Sequence, residues 1–313
     1  MKIAILGGGS WGTALAVHLA AKKYPIRIWE FMEEQARVMQ QTRECPLLPG
    51  IHLPENIFVS SQMSDVIPRS TVIFVIVPSD KVESTLATAA PYIKKQSMVI
   101  CSKGFASNLR LLHEVVAAKV KGKVYCLYGP THAEEVSRGI LSGIVLAGKK
   151  NRKLYELINS PRLHVETTTD IVGVQVCATL KNILAVFFGV LDGAGYGDNT
   201  KAYVFTKGIE EIKQIGVAWG AKERTFYGLA GIGDTFVTCT SIHSRNRFVG
   251  QEIGKGRQLP EILAEMKMVA EGITALQQLP VLIQRFGLSL PVMQGLYSIV
   301  YEQKEIQAVL EKL

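Results

Sequence analysis

Residues 1–20 read MKIAILGGGSWGTALAVHLA, a short apolar run followed at once by glycines and then by apolar residues at helical spacing. Gly7, Gly9 and Gly12 fit the pattern G-x-G-x-x-G between a predicted strand and a predicted helix. In this context the first glycine permits a tight turn, the second lets a diphosphate approach the backbone, and the third allows helix and strand to pack closely. The helix N-terminus supplies N–H donors to phosphate oxygens. The stretch therefore predicts the first βαβ unit of a dinucleotide-binding fold.

The second predicted strand ends at an acidic residue, Glu30, which lies 18 residues beyond Gly12. A carboxylate at this place can accept hydrogen bonds from the hydroxyls of the adenosine ribose, and it repels a 2′-phosphate. Arginine does not follow before Arg37. The pattern favours NAD(H) over NADP(H), and the alternative is that Glu30 is an ordinary exposed surface residue.

Short, continuous apolar runs recur through the first half of the chain. Strands covered on both faces lose the alternation of apolar and polar residues, as in a parallel sheet between layers of helices. Stretches with helical spacing separate several of these runs, so that right-handed βαβ crossovers are expected. The predicted strands are residues 3–6, 26–29, 57–59, 72–77, 98–101, 124–127 and 144–146, and the predicted helices between them are 11–22, 81–93 and 109–120.

The character of the sequence changes after about residue 169. Asp170 is a favourable N-cap for an apolar helix that runs through Ile183. Further amphipathic helices are predicted over 206–219, 259–268, 274–285 and 292–300. We therefore predict an α/β plus all-α fold, in which residues 1–170 form a doubly wound Rossmann-type parallel sheet that binds the dinucleotide. Residues 171–313 are predicted to form an all-helical catalytic and substrate domain.

Length and charge narrow the class of protein. A chain of 313 residues with 48% hydrophobic and 20% charged residues suits two globular domains and excludes a disordered or low-complexity chain. The net charge of +8 indicates an anionic partner, but the basic residues are scattered and form no basic arm. A phosphorylated small molecule is therefore favoured over a nucleic acid.

Cysteine and histidine patterns indicate neither a disulfide framework nor a metal site. The five cysteines include no C-x-x-C pair, which fits a reduced, intracellular compartment. The histidines lack H-x-x-x-H spacing, and His132-x-Glu134 has no P-C-x-x-C partner downstream. The apolar start is too short for a signal peptide, and the run 183–191 is too short to span a bilayer. A cytoplasmic protein without a transmembrane segment is expected.

One lysine interrupts a long and largely apolar stretch. Lys181, followed by Asn182, lies within residues 172–190. A ketone that accepts a hydride develops negative charge on its oxygen and needs a proton donor. A desolvated lysine can supply that proton because burial lowers its pKa toward neutrality. The structural alternative is that Lys181 extends its ammonium group to the surface.

Seven short motifs follow one another between residues 7 and 247. They are GGGSWGTALA at 7–16, CSKGF at 101–105, YGPTHAEEV at 128–136, TLKNILAV at 179–186, GYGDNTKA at 195–202, GIGDTFVTC at 231–239 and SRNR at 244–247. Together they resemble the successive signatures of the NAD(P)-dependent glycerol-3-phosphate dehydrogenase family, and the segment with Glu271 and Gly272 resembles that family too.

The resemblance implies a set of catalytic and substrate-binding roles. Lys181 would act as general acid toward the carbonyl and as base in reverse, and Lys103 would contact both the substrate and the nicotinamide side. Asp234 would be the third catalytic residue, placed close to both lysines. The implied substrate-binding residues are Lys103, Gly129, Thr131, Lys181, Asp234, Ser244, Arg245 and Asn246, of which Arg245 and Asn246 would hold the phosphate.

The resemblance also implies a cofactor site, and one departure from the bacterial pattern bears on it. Many bacterial members carry arginine or histidine just after the second strand, where this chain has Trp29-Glu30-Phe31. Phe31 can stack on adenine, as in eukaryotic NAD-linked relatives, so NAD is the expected cofactor and NADP is disfavoured. The implied cofactor-binding residues are Gly7, Gly9, Ser10, Trp11, Gly12, Glu30, Phe31, Lys103, Ala133, Arg245 and Glu271.

The sequence thus predicts a homodimeric oxidoreductase that interconverts dihydroxyacetone phosphate and sn-glycerol 3-phosphate, supplying the latter for phospholipid synthesis. Two alternatives stay open. Another two-domain Rossmann dehydrogenase, of the β-hydroxyacid or 3-hydroxyacyl-CoA type, would not need the Ser244-Arg245-Asn246 cluster. A non-catalytic dinucleotide-sensing protein would not need Lys181, Lys103 and Asp234 together.

Overall fold

The computed structural model describes residues 1–266 and 270–313 of the chain. Its backbone divides into two compact units, Met1–Ile171 and Val172–Leu313, referred to below as the N-terminal and the C-terminal unit. Residues 267 and 268 of the helix predicted over 259–268 lie outside the described residues.

Strands occur only in the N-terminal unit within the described ranges. They are β1 (Ile3–Leu6), β2 (Ile26–Trp29), β3 (Glu44–Cys45), β4 (Leu48–His52), β5 (Ile57–Ser60), β6 (Val72–Val75), β7 (Ser97–Ile100), β8 (Phe105–Ala106), β9 (Arg110–Leu111), β10 (Val124–Tyr128), β11 (Ser142–Ala147) and β12 (Leu163–Thr168). All seven predicted strands are confirmed, with ends that shift by at most two residues. The pairs β3/β4 and β8/β9 form small separate hairpins.

The main sheet has eight strands among the described residues, in the order β12-β11-β10-β7-β6-β1-β2-β5. The central strands β1 and β6 are buried along their whole length, which explains their continuous apolar sequences. The doubly wound Rossmann-type parallel sheet is confirmed, and it carries one antiparallel pairing toward one edge. There β11 pairs antiparallel with β10, and β12 pairs parallel with β11. The chain reverses between β10 and β11 through a helix of only five residues, which does not form a complete βαβ crossover.

Helices cover the sheet and build the C-terminal unit. Those of the N-terminal unit are α1 (Ser10–Ala20), α2 (Glu33–Thr42), α3 (Met63–Val66), α4 (Val82–Ala89), α5 (Leu112–Lys119), α6 (Ala133–Ser137) and α7 (Arg152–Ile158). Those that follow are α8 (Ile171–Gly193), α9 (Asp198–Ala218), α10 (Asp234–Thr240), α11 (Arg245–Gly254), α12 (Leu259–Glu265), α13 (Glu271–Gln277), α14 (Leu279–Phe286), α15 (Pro291–Glu302) and α16 (Ile306–Leu310).

The helix predicted over 274–285 is wrong as a single element. The chain forms α13 and α14 instead, with the break at Gln278. Pro280 lies in the first turn of α14, where a missing N–H does no harm, but the same proline would interrupt the hydrogen bonds of a continuous helix.

The 23-residue helix α8 forms the core of the C-terminal unit, and all its residues from Gly173 to Leu191 are buried. Among the described residues it is the one helix that is long and apolar enough to cross a membrane by length and composition alone. Some 89% of its most apolar window is buried inside the molecule, as is usual for the core helix of a globular unit.

Helix α11 lies directly against α8 through four glycines. A Cβ at Gly189 or Gly193 of α8 would overlap a backbone carbonyl oxygen of α11, those of Arg247 and Gln251 respectively. In return, a Cβ at Gly250 or Gly254 of α11 would overlap backbone carbonyl oxygens of α8. These two helices therefore approach closely enough for main-chain contact, and an ion pair between Arg247 of α11 and Asp192 of α8 joins them as well.

A buried carboxylate joins α9 to the start of α15. Glu211 accepts hydrogen bonds from the backbone N–H groups of Val292 (2.6 Å) and Met293 (2.9 Å). These N–H groups lie in the first turn of α15, where the helix itself offers no acceptor. Burial raises the pKa of Glu211 to about 7, although the two backbone hydrogen bonds oppose that rise.

Candidate active site

The glycine loop between β1 and α1 has the geometry that its spacing predicts. Gly7 has a φ of +119°, and a Cβ there would lie 2.7 Å from the carbonyl oxygen of Ile76. A Cβ at Gly12 would overlap the carbonyl oxygen of Gly7, so helix and loop can approach only at a glycine. Gly9 differs from both: its φ is −67°, and a Cβ there would meet no protein atom within 4 Å. The fold itself leaves open the space that a diphosphate would need.

Glu30 is buried at the end of β2, only 7% exposed, and the reading as an ordinary surface residue is wrong. Its Oε2 accepts from the backbone N–H of Gly8 (3.1 Å) and its Oε1 from that of Met32 (3.0 Å). A Cβ at Gly8 would lie 2.7 Å from Oε2, so this glycine makes room for the carboxylate. An ionised carboxylate can accept about four hydrogen bonds, which leaves it capacity for ribose hydroxyls.

The residues next to these complete the loop region. Phe31 is 77% exposed, with its ring edge-on to Trp29 at a centroid distance of 6.1 Å. Ser10 and Trp11 form the first turn of α1, and Trp11 packs against the core of the sheet. The first turn of α1 contains no acidic residue, so the positive end of its dipole is not offset there.

Four further predicted residues lie just beyond the carboxyl ends of β7 and β10, which are neighbouring strands. Lys103 follows β7, while Gly129, Thr131 and Ala133 follow β10. The hydroxyl of Tyr128 donates to the carbonyl oxygen of Ser102 (2.7 Å) and joins the two segments. The strands β1, β6, β7 and β10 run parallel to one another, so their carboxyl ends lie at the same end of the sheet. These residues therefore lie on the same side as the glycine loop, and ligands bind beyond the carboxyl ends of the strands in such sheets.

Gly129 is required by the close approach of two strands. A Cβ there would lie 2.8 Å from the Cα of Ile144 on β11. The hydroxyl of Thr131 donates to the carbonyl oxygen of Gly129 (3.1 Å), which holds this turn together. Ala133 is buried at the first position of α6.

In the C-terminal unit Lys181 is only 3% exposed, so the alternative of an ammonium extended to the surface is wrong. Its Nζ donates to Oδ1 of Asp234 at 2.5 Å and to Oγ1 of Thr238 at 2.6 Å. Asp234 is itself 1% exposed. The expected neighbourhood of Lys181 and Asp234 is confirmed, and the ion pair is shielded from solvent.

Thr238 is a residue that the sequence reasoning missed. Its hydroxyl accepts from Lys181 and donates to the carbonyl oxygen of Asp234 (2.6 Å), one helical turn earlier on α10. The available signal was the spacing of four residues between Asp234 and Thr238 in GIGDTFVTC, which places both on one face of a helix. The neighbouring Cys239 is not a reactive group, because burial raises the pKa of its thiol well above the usual range.

The four residues of the S-R-N-R cluster differ in their places in the structure. Ser244 is the N-cap of α11, where its Oγ accepts from the backbone N–H of Arg247 (3.3 Å). Arg247 forms an ion pair with Asp192 at 2.7 Å. Arg245 is the first residue of α11 and is exposed. Asn246 is buried, and its Oδ1 accepts from the backbone N–H of Gly272 (2.8 Å), an orientation that leaves its Nδ2 to act as a donor.

The start of α13 brings this cluster close to Lys181. Glu271 and Gly272 begin α13, and a Cβ at Gly272 would overlap the carbonyl oxygen of Asn182, the residue after Lys181. Asn246, Gly272 and Asn182 therefore meet through short contacts, and the arginine-bearing helix start lies near the buried ion pair. An arginine and a buried ammonium in the same unit suit a substrate with both a phosphate and a carbonyl group.

Cysteines and possible metal ligands in the described part of the chain show the following. All five cysteines are buried, and no group of three or more His, Cys, Asp or Glu side chains within residues 1–266 and 270–313 could hold a metal ion.

The fold and the glycine loop define the class: a Rossmann-type dinucleotide-binding protein with a helical C-terminal half. Residues 2–154 match the family model described as NAD-dependent glycerol-3-phosphate dehydrogenase N-terminus, and residues 170–311 match the model of the C-terminus. The chain belongs to the NAD-dependent glycerol-3-phosphate dehydrogenase family, and the resemblance noted in the sequence is confirmed.

Individual relatives agree over the full length. The chain is 37% identical to glycerol-3-phosphate dehydrogenase [NAD(P)+] of Chlorobium phaeobacteroides, with 99% of this chain and 96% of the relative aligned. It is 38% identical to glycerol-3-phosphate dehydrogenase [NAD(P)+] 2 of Salinibacter ruber, over 100% and 94% of the two chains. The crystal structure of glycerol-3-phosphate dehydrogenase from Coxiella burnetii superposes with a TM-score of 0.94 at 32% identity, covering 99% of this chain and 98% of that one.

Proposed function

We propose that this protein catalyses the reversible reduction of dihydroxyacetone phosphate by NADH to sn-glycerol 3-phosphate. The observation that carries the proposal is the buried contact of Lys181 with Asp234 and Thr238. A dinucleotide-sensing protein has no need of a desolvated ammonium group held by two side chains. Full-length relatives named glycerol-3-phosphate dehydrogenase support the choice of substrate.

Lys181 acts as the general acid in the reduction. Asp234 and Thr238 fix the position of its Nζ, so that the proton reaches the ketone oxygen while negative charge develops there. In the reverse direction the same nitrogen takes the proton of the alcohol. The carboxylate of Asp234 keeps a positive charge tolerable in a buried place, since an unpaired ammonium there would be strongly disfavoured.

The phosphate of the substrate is bound by Arg245 and Asn246 at the start of α11. Arg245 offers a planar fork for two phosphate oxygens, and Nδ2 of Asn246 adds a neutral donor. The N-terminus of α11 carries no acidic residue in its first turn, which favours an anion. Ser244 contributes by capping this helix start. Binding the phosphate away from the reacting carbon orients the ketone toward Lys181.

The glycine loop fits a nicotinamide dinucleotide, because Gly9 leaves space for a diphosphate and Glu30 offers acceptors for ribose hydroxyls. When bound, NADH supplies the hydride that the carbonyl carbon receives. Glu30 disfavours the 2′-phosphate of NADPH by charge repulsion. Roles for Ser10, Trp11, Phe31, Lys103, Gly129, Thr131, Ala133 and Glu271 remain predictions from the family resemblance.

We further propose that residues 1–170 form the dinucleotide-binding domain and residues 171–313 the catalytic domain, which the division into compact units after Ile171 supports. The protein would work as a homodimer in the cytoplasm, where it supplies glycerol 3-phosphate for phospholipid synthesis.

A spectrophotometric assay tests the proposal. Oxidation of NADH and of NADPH is followed in parallel with dihydroxyacetone phosphate, with a short 3-oxoacid, and with a 3-oxoacyl-CoA. We expect turnover with the phosphate ester alone, and a higher kcat/KM with NADH. Absence of NADH oxidation with dihydroxyacetone phosphate would refute the activity, whereas an equal or higher kcat/KM with NADPH would refute only the role of Glu30.

A further inference from the structure

The carbonyl group of Gly8, in the middle of the glycine loop, accepts hydrogen bonds from two buried side chains. The Oγ1 of Thr13 donates to it at 3.2 Å, and the Sγ of Cys45 donates to it at 3.5 Å. Thr13 lies in the first turns of α1, and Cys45 lies on β3 of the small hairpin. Both side chains are shielded from solvent, with exposures of 0% and 1%. Neither belongs to the predicted cofactor site.

The orientation of this carbonyl fixes the orientation of the next N–H. The peptide bond between Gly8 and Gly9 is trans, as are all peptide bonds of the described residues. In a planar trans peptide the C=O of one residue and the N–H of the next point in opposite directions. Holding the Gly8 carbonyl against Thr13 and Cys45 therefore turns the N–H of Gly9 away from them.

The N–H that is turned in this way belongs to the glycine with open space around it. No protein atom would contact a Cβ at Gly9, and Gly9 is the residue just before α1. Three consecutive glycines make a loop whose peptide planes rotate at little steric cost. A loop of this composition needs side chains from elsewhere to keep one orientation.

The other side of the Gly8 residue is held as well. Its N–H donates to Glu30, so the peptide units before and after Gly8 are both anchored by side chains. The backbone N–H of Thr13 donates to the carbonyl of Gly9 (2.9 Å), as expected within a helix. The hydroxyl reaches one residue further back, to Gly8.

We propose that Thr13 and Cys45 are positioning residues for the dinucleotide: they hold the Gly8–Gly9 peptide so that the Gly9 N–H is presented to the diphosphate. This inference rests on the proposed function, because it assumes that the loop binds a dinucleotide. Neither residue touches the ligand, and their effect is confined to the diphosphate.

The test compares Thr13→Val, which keeps the shape and removes the donor, with Thr13→Ser, which keeps the donor. Cys45→Ala and the double variant complete the set, and Thr85→Val, a buried threonine of α4, is the matched control. Dissociation constants are measured for NADH by fluorescence titration, and for ADP and adenosine by competition. Thermal unfolding of each variant reports on folding.

We expect Thr13→Val to raise the dissociation constants for NADH and ADP by about 3- to 10-fold, the range for one hydrogen bond. The dissociation constant for adenosine should stay unchanged, and Thr13→Ser should bind all three ligands as wild type does. The double variant should weaken ADP further. At saturating NADH, kcat and the KM for dihydroxyacetone phosphate should stay as in wild type.

If Thr13→Val bound ADP and adenosine more weakly by the same factor, the role of Thr13 would be merely structural and the inference would be overturned. A wild-type affinity of Thr13→Val for ADP would also overturn it. Should Thr13→Val fail to fold, Cys45→Ala decides by the same ratio of ADP to adenosine affinity. Failure of the wild-type protein to bind NADH would instead overturn the proposed function itself.

Discussion

The glycine loop of the N-terminal unit and the buried ion pair of the C-terminal unit are built on opposite principles. The loop depends on the absence of side chains: Gly7, Gly8 and Gly12 allow close approaches, and Gly9 leaves space for a ligand. The ion pair owes its capacity to side chains that hold one another, Lys181 with Asp234 and Thr238. Adding atoms should therefore damage the first site, and removing atoms should damage the second.

The largest effect is expected at the second site. Lys181→Ala removes the proton donor and should lower kcat by at least about 100-fold, within the usual range for general acid catalysis. The dissociation constant for NADH should stay within about twofold, because the loop is untouched. Steady-state kinetics and fluorescence titration measure the two quantities, with Lys304→Ala, an exposed lysine of the same unit, as control. More than about a tenth of wild-type kcat in Lys181→Ala would contradict the acid role.

The converse experiment adds one methyl group to the loop. Gly9→Ala meets no protein atom and has an ordinary φ, so its melting temperature should match that of wild type. The methyl group would stand where the diphosphate approaches, and the dissociation constant for NADH should rise by at least about tenfold. Gly197→Ala is the matched control, since a Cβ there also meets nothing and its φ is −83°. Unchanged NADH affinity in Gly9→Ala would mean that the open space serves another purpose.

A smaller effect is expected from exchanging the shape of a cation while keeping its charge. Arg245→Lys loses the planar fork and should raise the KM for dihydroxyacetone phosphate by about tenfold, the value of one charge-assisted hydrogen bond. The KM for NADH should change less. Arg257→Lys, a partly exposed arginine paired with Glu252, serves as control in the same assays. An unchanged substrate KM would remove Arg245 from the phosphate site.

The effect expected to be smallest for catalysis concerns the stability of the fold instead. Because the pKa of Glu211 rises from about 4.5 to about 7 on folding, the folded state holds this proton more tightly than the unfolded state. Its contribution to stability is therefore complete below pH 4.5 and declines as the pH rises through about 7. Relative to Glu211→Gln, wild type should lose up to about 3 kcal/mol between pH 4.5 and pH 8. Denaturant unfolding at several pH values measures this difference, and parallel curves for the two proteins would contradict it.

The sequence predicted best those elements whose signal is local. Strands such as β1 and β6 are continuous apolar runs because both their faces are covered, and the glycine spacing indicated the loop directly. The missed strand β12, Leu163–Thr168, lies at the sheet edge, where one face meets water. Its residues alternate between buried and exposed, so it lacks the continuous run on which the other strands were recognised.

The candidate site was less accessible, because its contacts join distant parts of the chain. Lys181 and Asp234 are 53 residues apart, and only the family resemblance suggested that they meet. Cys45 reaches Gly8 across 37 residues through the β3/β4 hairpin, for which no spacing rule exists. Ser244 shows the opposite limit: its motif implied a ligand contact, and the structure also gives it a local task as the N-cap of α11.

The glycine contact between α8 and α11 sets the distance between two helices that each carry a residue of the proposed active site. Lys181 belongs to one of these helices and Arg245 begins the other, and carbonyl groups and Cα atoms form part of the surface along which they touch. Side chains can adopt new rotamers around a foreign methyl group, but two backbones in contact can only move apart. An alanine at any of the four glycines would thus push one helix away and change the reach between ammonium and guanidinium. Such a substitution would therefore change catalysis and stability together, because the same main-chain contact serves both.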